Sequence, residues 1–209
     1  MGCSVLAAVA ALAACGDDDS DAPKVETSKL ASIEALTPSQ YTAIEKVYVA
    51  ALRLDERQES AATLRLVLRP VQDACDDLDA DDPLLGVLRT SCPVGAEMFK
   101  AVTRTDDCGS AGKDECADAF EDAQATTQRL VEASRASNRA VNATRLPQGC
   151  KRALLTPPES LERGAALERA LGMVANDDTG ARRTLVAAQR QADGTSEPQL
   201  LDLLRRNCH

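Results

Sequence analysis

Four aromatic side chains, Tyr41, Tyr48, Phe99 and Phe120, serve a chain of 209 residues that has no Trp. Large rings supply much of the buried area in an ordinary core. Hydrophobic residues still reach 44%, so a core is available, but one of Ala, Leu and Val. Small side chains bury little area each. They also let neighbouring helices approach closely, and helices are what the pattern predicts. No run shows sustained β-branched alternation closed by hairpin turns, so no sheet is expected.

Three segments carry helix-start signals. Thr37-Pro38-Ser39-Gln40 places Thr at the N-cap, Pro at the first helical position and Gln at the third. Thr156-Pro157-Pro158-Glu159 repeats the arrangement, and Ser196-Glu197-Pro198-Gln199 varies it. In each, the hydroxyl can accept from the third amide while the Gln or Glu reaches back. Behind Thr37, Ile44, Val47, Tyr48, Ala51 and Leu52 share one helical face. The polar run 55–60 leaves open one long helix or two before Pro70 limits the pattern. Asp82-Pro83 is read as opening a helix through Leu88 that ends near Cys92-Pro93, with another over about 95–104.

The clearest pattern is Cys116, Phe120, Ala123, Thr127, Leu130, Ser134, Ser137, Val141 and Thr144, spaced four and three apart. It is a heptad seam over about four repeats. Packing against other helices is its first reading; a polar groove in which Thr127, Ser134 and Ser137 touch a ligand is the alternative. In the last third, Leu161, Gly164, Leu167, Leu171 and Val174 line one face. Ala181, Leu185, Ala188 and Ala192 line the next, and Leu200, Leu203 and Leu204 the last. No period of 30–45 residues repeats three times, which disfavours a solenoid. The expectation is an all-α bundle of about five to seven helices over 37–209.

The N-terminus reads differently. Val5 to Ala14 is a run of ten apolar residues, about half of what crosses a bilayer. It follows Met1-Gly2-Cys3-Ser4, which has no Lys or Arg, and ends in Leu12-Ala13-Ala14-Cys15 before Gly16-Asp17-Asp18-Asp19. This resembles the lipobox of bacterial prolipoproteins. The resemblance covers residues 1–16 only. It implies cleavage after residue 14 and a diacylglyceryl group on Cys15. A myristoylation signal needs Ser or Thr where Leu6 stands, and fails. Residues 15–36 then read as an acidic, flexible linker, with at most a short helix within 25–36.

There are eight Cys. On the lipoprotein reading Cys3 leaves with the signal and Cys15 is blocked by lipid. Cys75, Cys92, Cys108, Cys116, Cys150 and Cys208 remain, an even number facing an oxidising compartment. Fifteen pairings are possible. Cys108 with Cys116, flanking a Gly-containing loop, is the first choice; Cys75 with Cys92 and Cys150 with Cys208 follow. No C-x₂₋₄-C pair is present for zinc.

Catalytic signals are poor. The one His is His209, the last residue, which leaves a Ser or Cys nucleophile without an internal partner. Ser110-Ala111-Gly112-Lys113 matches the S-x-x-K of penicillin-binding enzymes but lacks their other motifs. Asp77, Asp79 and Asp81 imitate positions 1, 3 and 5 of an EF-hand loop. Asp82 then stands where Gly is needed and Leu88 where Glu is needed, so only a weak metal candidate is left. With 33 acids against 24 Lys and Arg the net charge is −9, which argues against nucleic acid. The sequence therefore reads as a non-catalytic, extracytoplasmic lipoprotein that contacts an envelope protein or component and is held to the membrane by lipid. Its acidic surface suits a basic partner or a cation. The alternative is a small-molecule or metal site between helices, which would need a cavity of about 300 Å³ or more. No cofactor and no oligomeric state is specified.

Overall fold

The computed structural model describes residues 27–55, 64–106, 113–175 and 197–208. All their regular structure is helical: α1 (Thr27–Leu30), α2 (Pro38–Asp55), α3 (Leu64–Asp76), α4 (Leu85–Asp106), α5 (Lys113–Ala143), α6 (Gln148–Leu154), α7 (Pro158–Ala175) and α8 (Glu197–Asn207). The all-α bundle is present, with α2 to α8 falling within 37–209. Residues 1–26, Cys108, Ser110, the Ala181–Ala192 face, Ser196 and His209 lie outside the described residues.

The spine is α5, 31 residues long, or about 46 Å. Its heptad seam is the buried face: Phe120, Ala123, Thr127, Leu130, Ser134, Ser137, Val141 and Thr144 are each 8% exposed or less. Helices α4 and α7 pack along it. Small residues allow this closeness; a Cβ on Gly164 would come within 3.0 Å of Val131 Cγ2. Two larger apolar clusters flank a more polar middle, in which Val131 and Leu161 form a small third one. Ala101, Phe120, Ala123, Leu167, Ala170 and Leu171 form one. The larger joins α1, α2, α3, α6, α8, the start of α4 and the end of α5.

The start signals behave differently from one another. At Thr37 the capping box is complete: Gln40 N donates to Thr37 Oγ1 at 3.2 Å and Thr37 N donates to Gln40 Oε1 at 2.8 Å. At Thr156 it is not. Helix α7 begins at Pro158, and the buried Thr156 hydroxyl has no hydrogen-bond partner among the described residues. The Asn138 side chain takes that residue's backbone instead, accepting from Thr156 N at 3.1 Å and donating to Thr156 O at 3.3 Å.

Two proline readings are corrected. Pro70 lies inside α3, and Pro93 lies inside a single helix, α4, that replaces the two read over 83–104. An interior Pro removes one ladder bond and costs about 3 kcal/mol. Both helices are tied nearby by the Cys75–Cys92 bridge, and Leu68, Val71, Leu85 and Val87 bury their apolar faces. Tertiary burial outweighs the local penalty. The linker reading is shortened too: Leu30 is buried, Ile33 and Leu36 pack on the core, and Ile33 O accepts from Arg145 N at 2.8 Å.

Among the described residues two disulfides staple the bundle. Cys75–Cys92 joins the end of α3 to α4. Cys150–Cys208 joins α6 to the residue after α8. Cys116 is half-buried on α5; its expected partner, Cys108, is among the residues not described.

Candidate functional site

The sequence offers two places for a ligand, the acidic loop and the hydroxyl-bearing seam. In the loop, Asp82 is a structural residue. Its Oδ1 accepts from Leu84 N and Leu85 N, both at 2.9 Å, and so caps α4. Its Oδ2 accepts from Gln40 Nε2 at 2.8 Å and ties the loop to α2. Asp79 Oδ1 accepts from the Asp81 amide at 2.9 Å, a local Asx turn. Asp77 Oδ2 lies 3.5 Å from Lys46 Nζ, with both groups exposed. Asp77, Asp79 and Asp81 thus do not converge. Among the described residues no three His, Cys, Asp or Glu side chains form a metal-sized group.

The seam is filled by helices rather than open as a groove. Thr127 Oγ1 donates to Ala123 O at 2.7 Å, and the Ser137 and Ser91 hydroxyls meet at 3.2 Å between α5 and α4. Ser134 Oγ and Arg135 Nε, like Thr156 Oγ1, are buried without a hydrogen-bond partner among the described residues. Thr127, Ser134 and Ser137 are each 1% exposed or less, which leaves them no access to a solute.

A small cavity of about 30 Å³ sits between α2 and α4, lined by Ile44, Val47, Tyr48, Leu78, Leu88, Ser91, Cys92 and Leu154. It has room for a water or two; pockets for organic ligands are about tenfold larger. Tyr48 is its only ionisable wall. Its hydroxyl donates to Ala153 O at 2.7 Å, and burial raises its pKa above the ordinary value. At neutral pH it is a hydrogen-bond donor and not a base.

The remaining sequence candidates do not assemble into a catalytic set. Lys113 starts α5, and Ser110 and His209 lie outside the described residues. Asn138 was missed by the heptad reading, although it adjoins Ser137 and is 2% exposed. A 3.6-residue period would have brought it to the buried face. Tyr48 was placed on the core face, but its acceptor is 105 positions away, beyond any local signal. No protein-family model, no curated protein and no solved structure matches this chain.

Proposed function

We propose that this chain is a bacterial envelope lipoprotein, anchored by lipid on Cys15, whose helical domain binds another envelope protein or component without chemistry of its own. The observation that carries the reading is the bridging of Cys75 with Cys92 and of Cys150 with Cys208. Such bonds persist in oxidising compartments, and the lipobox, at other residues, points to the same side of the membrane. Among the described residues, the filled seam and the small size of the Tyr48 cavity favour an interaction surface over a ligand site at those two places.

Mass spectrometry of the protein extracted from its own envelope tests this. The expected mass begins at a diacylated Cys15 and rises on reduction by two hydrogens for each bridge, so by four for the two described and by six if Cys108 pairs with Cys116. An unmodified chain still starting at Met1 overturns the anchor. A small molecule that stays bound through native ionisation overturns the interaction role in favour of ligand binding.

A further inference from the structure

Buried polar atoms of a folded chain are nearly always hydrogen-bonded, and each exception asks for a reason. Among the described residues three buried side-chain atoms have no partner: Ser134 Oγ, Arg135 Nε and Thr156 Oγ1. They fall at one place. Val131, Arg135 and Asn138 are spaced four and three apart and share one face of α5. That face meets the start of α7: Val131 packs with Leu161, and the Asn138 amide holds the backbone of Thr156 at 3.1 and 3.3 Å. Ser134 stands one turn before Asn138 on the same helix. Each of the three atoms has lost its water contacts with no bond to replace them, which is the costly side of burial.

Little apolar area offsets that cost. The cluster under the first turns of α7 is the pair Val131 and Leu161. The second half of the helix instead docks Leu167, Ala170 and Leu171 on Ala101, Phe120 and Ala123. Between the two halves stands Gly164, a residue that weakens a helix interior. Before the first half the chain is held: Tyr48 OH donates to Ala153 O at 2.7 Å, and Cys150 is bonded to Cys208. Leu155 is extended, with φ −83° and ψ 137°, and Pro157 and Pro158 have no N–H to lose. We propose that the stretch 156–163 is a latch that lifts from α5 as a unit, turning at Leu155 and at Gly164, while the rest of the fold stays closed. Lifting gives water to Ser134, Arg135 and Thr156 and uncovers Val131 and Leu161 with them. Regions with few buried apolar contacts open in this way well below the free energy of global unfolding. The latch needs no lipid anchor, so its test is independent of the function proposed above.

Amide hydrogen exchange on the disulfide-intact protein, read residue by residue by NMR where closing outruns exchange, tests this. The Thr156 amide is the reporter, because its bond to Asn138 Oδ1 breaks when the latch lifts. The Val141 amide, in the large core cluster, reports unfolding of the whole. Thr156 is expected to be protected about a hundredfold less than Val141. Its rate is expected to stay flat in dilute urea, because lifting exposes little surface. Asp82→Ala removes the cap of α4 and lies outside the latch. It is expected to lower Val141 protection about tenfold and to leave Thr156 unchanged. Thr156→Val keeps the shape and removes the unpartnered hydroxyl, and is expected to raise protection of the amide at 156 about tenfold. Equal protection of Thr156 and Val141, an equal fall of both in Asp82→Ala, or no gain in Thr156→Val overturns the proposal. The last result would mean that the hydroxyl is satisfied in the closed form and that nothing drives the latch.

Discussion

Tyr48 is one of two tyrosines in the chain, and its single hydroxyl reaches the last turn of α6. That turn has carbonyls with no helical donor, so the hydroxyl satisfies a group that burial would otherwise leave bare. Tyr48→Phe is expected to cost about 1–2 kcal/mol at neutral pH, read from urea midpoints. The pH dependence has a definite sign. Burial raises the folded pKa above the unfolded value near 10, so the neutral form is the one the fold favours. Below pH 10 the contribution is fully present. As pH rises beyond 10 the unfolded chain loses a proton that the folded one keeps, and stability falls by up to about 1.4 kcal/mol per pH unit. The difference between native and Tyr48→Phe protein isolates that slope from the lysines; parallel pH profiles would contradict it. Asn138 works in the same way, as an amide satisfying one residue of backbone. Neither partner is visible in sequence, because each pairing is set by where two distant segments meet.

At the scale of elements, period and capping were legible and interruptions were not. The α5 seam and the α2 face came directly from spacing, because burial must follow the helix period. Pro70 and Pro93 were read as boundaries, because a local rule knows only the lost hydrogen bond and not the apolar face that carries the helix through. Thr156 was read as a cap, because nothing local reveals that Asn138 competes for its backbone. The acidic loop shows the reverse: its most exposed residues looked like ligands, while Asp82 alone among them is held on three sides. Asp82→Ala is expected to cost about 1–2 kcal/mol through two lost caps and the Gln40 tie, whereas Asp79→Ala stays within about 0.5 kcal/mol. Equal shifts in urea midpoint for the two variants would show that the loop is held elsewhere. Gly86 sets the spacing of this loop. A Cβ there would meet the Ala80 carbonyl oxygen at 2.6 Å, a backbone atom with no easy retreat.

For the whole molecule, composition foretold a core in need of support and parity foretold how it is supported. Net charge foretold less, because a sum of −9 says nothing of where the charges sit. The two described bridges close loops with sequence separations of 17 and 58. Loop-closure entropy assigns them about 3 and about 4 kcal/mol, against a total stability of about 5–15 kcal/mol for a domain. Replacing Cys150 and Cys208 by Ala is therefore expected to lower the urea midpoint more than replacing Cys75 and Cys92. The opposite order would mean that native packing at the bridges, rather than closure, sets their worth. The longer bridge has another consequence. It makes the stretch from Cys150 to Cys208 a closed covalent ring. A protease that cuts once inside that ring, between α7 and α8 for instance, releases nothing: the fragments travel as one molecule until a reductant separates them. A cut in this part of the protein thus escapes any separation of fragments by size that is run without a thiol.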